Sequence, residues 1–286
     1  AAGLSRGMAL DSDLLAAAEA LREPGMGTEA VGPLLYSLIK TTRPRAALEV
    51  GIGYTSLFIA RALADAAEEH AADRALLADQ HSADRRKGLL IPPYYGLPYA
   101  PKLYAIDDYS AENATARQTL EVLEAQGLRS LVELHEGDFR GYAEKLPPAA
   151  RPLDFVWFDC GGPEEYRDFF REYWPLINPN HGLVALHFTY WSLPMEFQGR
   201  RGQAMQPSAI LNELKRQQLA AGEKAGFEVL SLLEPHKHRQ GSVTLLRRLA
   251  PTSRQRPASS AEEMAASGLD PNPDFPRLDR SAPAAR

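Results

Sequence analysis

The segment that most constrains this chain is Ala46-Ala47-Leu48-Glu49-Val50-Gly51-Ile52-Gly53-Tyr54-Thr55-Ser56, with the apolar run Leu57–Leu63 behind it. A mostly apolar five-residue run reads as a strand buried on both faces, the glycines as a turn, and the run behind them as the start of a helix. A strand that turns directly into a helix opens a β-α-β unit, and its neighbours in the sheet are then parallel. The alternation continues down the chain. Short apolar runs suited to strands are Ala46–Val50, Leu103–Asp107, Leu131–His135, Leu153–Asp159, Leu183–His187, Phe227–Leu233 and Ser242–Arg248. Between them lie helical segments at Leu57–Ala72, Ala111–Gln126, Pro163–Tyr173 and Ala209–Ala225. The pattern predicts an α/β fold: a doubly wound, mostly parallel seven-stranded sheet with helices on both faces.

Ahead of the first strand, Leu14, Leu15, Ala18 and Leu21 share one helical face, and Leu34, Leu35, Leu38 and Ile39 share another. Gly25 and Gly27 separate the two helices, so residues 1–44 read as an N-terminal helical cap. Residues 45–250 read as the α/β domain, with extra chain at 76–102. Residues 251–286, rich in Pro, Ser, Ala and Arg without periodicity, read as a flexible tail.

Charge and cysteine content narrow the partners. The net charge of -5 gives no footprint for a phosphate backbone, so no nucleic-acid partner is expected. No apolar run reaches the roughly 18 residues that span a bilayer, and Ala1 to Ala20 lack a charged-then-apolar leader pattern. The single cysteine, Cys160, excludes an internal disulfide and a four-thiolate zinc site. A reducing, cytoplasmic setting is the expectation, with a homodimer kept open as an assembly.

Chemistry enters at the strand ends. Gly51 and Gly53 remove Cβ atoms that would block a ligand from the backbone, and the helix N-terminus presents its N–H groups. Thr55 stands near the place of the third glycine of the dinucleotide fingerprint, which argues against NAD. Glu49 precedes the turn, Asp107 closes the second strand, Asp138 follows the third, and Asp159 closes the fourth. Ligands of open parallel sheets lie beyond the carboxyl ends of the strands, so these carboxylates converge on one crevice. Such acceptors suit ribose hydroxyls, an adenine amino group and a cationic amino-acid terminus, and suit a pyrophosphate poorly.

Glu49-Val50-Gly51-Ile52-Gly53-Tyr54-Thr55-Ser56 resembles motif I of class I S-adenosylmethionine-dependent methyltransferases, especially the small O-methyltransferases of the catechol and caffeoyl-CoA type. Thr28-Glu29-Ala30-Val31-Gly32-Pro33-Leu34-Leu35 resembles their lead-in, and the likeness runs from about Thr28 to Arg248. It implies S-adenosylmethionine as cofactor and methyl transfer to a small molecule, with specialised metabolism as the setting. It also implies that Gly51 and Gly53 line the methionine portion, Asp107 holds the ribose hydroxyls, Asp138 approaches the adenine, and Asp159 sits at the reaction centre. The cofactor set expected is Glu49, Gly51, Gly53, Tyr54, Ser56, Asp107, Asp108, Asp138, Phe139 and Asp159.

The chain departs from that pattern in two places. Metal-dependent members end the fifth strand in Asp-Asn, whereas this one runs Leu186-His187-Phe188-Thr189-Tyr190-Trp191, so no metal is expected. His187 is the expected base, oriented by Asp159, with Tyr190 beside it at the same strand end. Cys160 reads as a small packed residue. The second departure is the insertion ending Leu89-Leu90-Ile91-Pro92-Pro93-Tyr94-Tyr95-Gly96-Leu97-Pro98-Tyr99-Ala100-Pro101. It reads either as a surface loop or as a lid whose Tyr94, Tyr95 and Tyr99 contact the sulfonium. Trp191 and Arg200 are the further substrate candidates; Glu196–Gly202 reads as a mobile segment over the crevice, in which Arg200 or Arg201 is suited to hold a substrate carboxylate. Two rivals stand beside methyl transfer. One attacks the cofactor's amino-acid chain and releases methylthioadenosine, and the other is a cofactor-binding module without turnover.

Overall fold

The structure is a computed structural model, and it describes residues 10–24, 27–110, 115–160, 163–197, 200–221, 225–234, 237 and 242–249, without the side chains of 163–164 and 191–206. The proline- and serine-rich residues 251–286 and most of 235–241 lie outside the described residues. Two helices, α1 (Ser12–Ala20) and α2 (Val31–Thr42), precede strand β1 (Ala46–Val50) and helix α3 (Tyr54–Ala78). Then follow β2 (Lys102–Asp107), α4 (Ala116–Ala125), β3 (Val132–Glu136), β4 (Phe155–Phe158), α5 (Pro163–Tyr173) and β5 (Leu183–His187). The chain continues through β6 (Tyr190–Phe197), β7 (Arg200–Pro207), α6 (Ala209–Ala221), β8 (Phe227–Leu232) and β9 (Val243–Arg248).

The sheet has seven strands in the order β3-β2-β1-β4-β5-β9-β8. β3, β2, β1, β4 and β5 run parallel, and β9 joins antiparallel to both β5 and β8. β1, β4 and β5 are buried along their whole length, as continuous apolar runs covered on both faces must be. One apolar cluster joins Leu48, Val50, Phe158, Phe169 and Tyr173 on the α5–α6 face. The other gathers α1, α2 and α3 on the opposite face through Leu14, Leu35, Ile39, Leu57 and Phe58. The N-terminal helices therefore share their core with the sheet. Among the described residues no helix is long and apolar enough to cross a membrane.

Two elements differ from the sequence expectation. Helix α3 continues to Ala78, and its 25 residues extend about 37 Å. The residues around Glu196–Gly202 belong to an antiparallel hairpin, with Tyr190 opposite Pro207 and Phe197 opposite Arg200. No period-2 alternation marks it, because Pro194, Gly202 and Gln206 interrupt the apolar pattern.

The packing of α2 on α3 is tightest at Gly32, where an added Cβ would lie 2.5 Å from Cδ2 of the buried Phe58 ring. Gly32→Ala is expected to destabilise the fold by about 1–3 kcal/mol through overpacking. Urea unfolding checks this: the midpoint should fall while the slope stays that of the parent.

Candidate active site

The crevice lies where the parallel strands end, because each strand there hands the chain to a turn and the turns part on either side of β1. Gly51 takes φ +94 directly after β1, and a Cβ there would stand 2.7 Å from the Asp159 carbonyl oxygen. The ends of β1 and β4 thus approach more closely than any side chain allows. The turn is tied on both flanks. The Gly51 N–H donates to Ile106 O at 2.9 Å, and the Asp159 N–H donates to Val50 O at 3.0 Å. The Ile52 N–H donates to Asp107 Oδ2 at 2.8 Å, and the Gly53 N–H to Ser56 Oγ at 3.0 Å.

The resulting crevice has a volume of about 450 Å³. Gly51, Gly53, Tyr54, Asp107, Asp108, Asp138, Phe139, Asp159 and His187 all line it. Asp107 also builds the site, since its Oδ1 accepts the Tyr109 N–H at 2.7 Å while Oδ2 holds the turn. Asp108 is held below the usual carboxylate range, chiefly by hydrogen bonds from Ser110. Phe139 packs edge-on against Phe158, its ring centroid 5.3 Å away.

Glu49 and Ser56, expected at the cofactor, are not among the lining residues. Glu49 is fully buried beneath the turn and accepts the Thr55 hydroxyl at 2.9 Å, and Thr55 Oγ1 in turn accepts Trp157 Nε1–H at 3.1 Å. Burial, the largest effect, pushes its carboxyl up to about 8. Ser56 is spent on capping Gly53.

At the far end, His187 is 1% exposed, and its Nδ1 lies 2.6 Å from Asp159 Oδ1. Its Nε2 is buried without a hydrogen-bond partner among the described residues. The Tyr166 hydroxyl donates to the His187 carbonyl oxygen, which anchors the strand end to α5. Phe188 follows with φ +50, an uncommon conformation for an aromatic residue, and its ring lies 3.8 Å from the imidazole centroid. The left-handed turn directs Phe188 to the crevice and Tyr190 away from it. Tyr190 accepts Lys215 Nζ–H at 2.7 Å on α6 and does not line the crevice, so its expected catalytic place is corrected. Trp191 and Arg200 lie on β6 and β7, with side chains outside the described residues.

Of the insertion's two readings, surface loop or tyrosine lid, the lid does not hold. Tyr94, Tyr95 and Tyr99 pack around His70 of α3, with ring centroids 5.7, 4.8 and 5.4 Å from it. The Tyr99 hydroxyl donates to Pro44 O at 2.8 Å, and that of Tyr95 to Asp73 at 3.0 Å. Pro44 precedes β1, so the cluster sits at the amino edge of the sheet, opposite the crevice. Helix α3 carries the chain there, and the insertion feeds straight into β2. The sequence reading missed several lining residues: Leu21, Glu23 and Thr28 from the N-terminal region, then Thr115, Arg140, Glu165, Tyr166 and Phe188. The Gly137-Asp138-Phe139-Arg140 motif adjoined one of them.

The strand order, the glycine turn after β1 and the acidic ends of β2, β3 and β4 define the class I methyltransferase architecture. Residues 48–187 match the family model described as a methyltransferase domain, and the sheet is that of a Rossmann-like methyltransferase fold. Among curated proteins none matches the chain. Among solved structures it is similar to the O-methyltransferase TomG from Streptomyces achromogenes, described in complex with S-adenosylmethionine and involved in tomaymycin synthesis. The two are 19% identical over 86% of this chain and 93% of that one, with a TM-score of 0.53. An O-methyltransferase from Bacillus cereus in complex with S-adenosylhomocysteine gives 13% identity over 85% and 93%, with a TM-score of 0.50. At these identities the likeness is one of fold.

Two outcomes follow from the geometry. Asp107→Ala removes the acceptor for two backbone N–H groups, contacts to a charged group worth about 1.5–3 kcal/mol each. Calorimetry should show S-adenosylhomocysteine binding weakened at least about tenfold, with Asp107→Asn intermediate. Glu49 gives a pH signature. Its folded value of about 8 lies above the ordinary 4.5, so the folded chain holds a proton that the unfolded chain releases between these values. Its contribution is complete below about pH 4.5 and is lost as pH rises through 8, at a slope of up to about 1.4 kcal/mol per unit. Urea midpoints for Glu49→Gln should lack this decline.

Proposed function

We propose that this enzyme transfers the methyl group of S-adenosylmethionine to a small-molecule acceptor, with His187 as the proton acceptor and without a divalent cation. The observation that carries the reading is the buried Asp159–His187 pair, with Nδ1 engaged and Nε2 open. When bound, the cofactor supplies a methyl group already activated by its positive sulfonium.

The residues present fit that cofactor. The Cβ-free turn at Gly51 lets a ligand reach the backbone, and a crevice of about 450 Å³ falls within the usual span of small-ligand sites. Asp107 and Asp108 offer acceptor oxygens to ribose hydroxyls. Asp138 and Phe139 offer an acceptor and an apolar face to the adenine. Gly51, Gly53 and Asp159 are suited to the amino-acid portion.

Asp159 accepts the Nδ1–H of His187, which fixes the tautomer and leaves the lone pair on Nε2. An acceptor O–H or N–H then loses its proton to Nε2, and the imidazolium that forms lies against the Asp159 carboxylate. The positive charge that leaves the reacting centre is retained within the site. Cys160 does not compete as a nucleophile, because burial, reinforced by Asp159, pushes its thiol up to about 12. Metal independence is supported by the donor set. Asp159 Oδ1 is already bonded to His187, and among the described residues no three His, Cys, Asp or Glu side chains gather as ligands. A small acceptor, and no nucleic acid, fits a chain of net charge -5 with carboxylates lining its crevice.

Incubation with S-adenosylmethionine and a panel of phenols and amines should yield S-adenosylhomocysteine. His187→Ala should lower kcat by roughly 10²–10⁴ while leaving S-adenosylhomocysteine affinity within about threefold. EDTA should leave the rate unchanged. Methylthioadenosine as the nucleoside product, or a rate lost to chelation and restored by magnesium, would overturn the proposal.

A further inference from the structure

We propose that the acceptor half of the crevice admits neutral and cationic molecules that bring an O–H or N–H donor, and turns away carboxylates and phosphates. The inference rests on the reading of the crevice as a methyl-transfer site and adds the charge class of its substrate.

Two independent features select against an anion. The first is the charge of the walls. Glu23, Asp107, Asp108, Asp138, Asp159 and Glu165 line the crevice, and among the lining side chains described the arginine is Arg140 alone. Its guanidinium is already committed, 2.8 Å from Asp138, 2.8 Å from Asp168 and 3.5 Å from Glu165. An entering carboxylate would have to displace one of these partners to find a cation. At the β4–β5 end the walls are Asp159 and Glu165 with Cys160, Tyr166, His187 and Phe188. Burial first, and then the nearby Asp159 and Glu165 carboxylates, push the Cys160 thiol and the Tyr166 phenol upward.

The second feature is the orphaned acceptor. His187 is 1% exposed, and Nε2 has no partner among the described residues. With Nδ1–H given to Asp159, Nε2 has only a lone pair to offer, and a buried acceptor left unpaired is costly. A phenol, alcohol, amide or protonated amine satisfies it. A carboxylate or a fully ionised phosphate has no proton to give and sets its charge against Asp159 and Glu165. Phe188 and Tyr166 add ring faces suited to a flat or cationic ligand.

Cys160 is the chain's single cysteine and lines this end, so it reports the local potential without any added label. The experiment measures its modification in the intact chain by methanethiosulfonate reagents carrying a trimethylammonium or a sulfonate head. Each rate is divided by that of 2-mercaptoethanol with the same reagent. The cationic reagent should be favoured at least about tenfold at low ionic strength, and the preference should shrink severalfold at about 0.5 M salt. Glu165→Gln should reduce the preference, and Arg140→Gln should increase it. A ratio at or below one would overturn the proposal. So would a preference indifferent to salt and to both substitutions, both rates being read at about pH 9, where the raised Cys160 thiol still yields some thiolate. The readout uses no cofactor. A cation-selective Cys160 in a chain that binds no S-adenosylhomocysteine would defeat the methyl-transfer reading and leave the charge preference standing.

Discussion

The end of β1 and the end of β4 come together at Gly51, where a Cβ would stand 2.7 Å from a backbone oxygen of Asp159 and φ is +94. Any other residue would have to pry these strand ends apart or adopt a strained backbone, at a cost of order 1–3 kcal/mol. The approach brings the Asp159 carboxylate to the floor of the crevice, within reach of His187 on the next strand. It also sets the Ile52 N–H where Asp107 can hold it. Two crevice carboxylates, Asp107 and Asp159, and the imidazole of His187 are thus placed by sheet register and one glycine, with little left to loop conformation.

The polar groups around this turn divide by burial. Glu49, fully enclosed under the turn, is driven toward its neutral form and accepts the Thr55 hydroxyl, which in turn accepts the Trp157 N–H within the core. Asp159, partly exposed, instead holds Nδ1 of His187 at 2.6 Å. The two carboxylates therefore take different places: one meets an imidazole at the crevice and the other meets hydroxyls in the core. The same contrast separates His187 from His70. The latter, packed among tyrosines at the amino edge, is pushed down by its desolvation and serves that cluster.

Much of this was legible in the sequence for a physical reason. Strands buried on both faces are continuous apolar runs, so the parallel core and its acidic ends stand out, and Asp107, Asp138, Asp159 and His187 all reach one crevice. Errors arose where position depends on chain direction or backbone sign. The tyrosine insertion lies between a helix and the following strand, and such connections fall at the amino edge of a parallel sheet. Its length and aromatic content pointed to a lid, but its place in the chain order did not. Tyr190 was misplaced because nothing in Leu186-His187-Phe188-Thr189-Tyr190 announces the left-handed turn at Phe188. Leu21, Glu23 and Thr28 went unnoticed at the crevice because their role comes from the docking of α1 and α2, which leaves no local signature.

The central claim is that one crevice holds the cofactor across the Gly51 turn and presents His187 to the acceptor. A crystal structure with S-adenosylhomocysteine tests it most directly. The ribose hydroxyls should lie on Asp107, the adenine by Asp138 and Phe139, and the sulfur on the side of the turn that faces Asp159 and His187. A ligand bound in the reverse sense, with its sulfur at the β2–β3 end away from His187, would contradict the account.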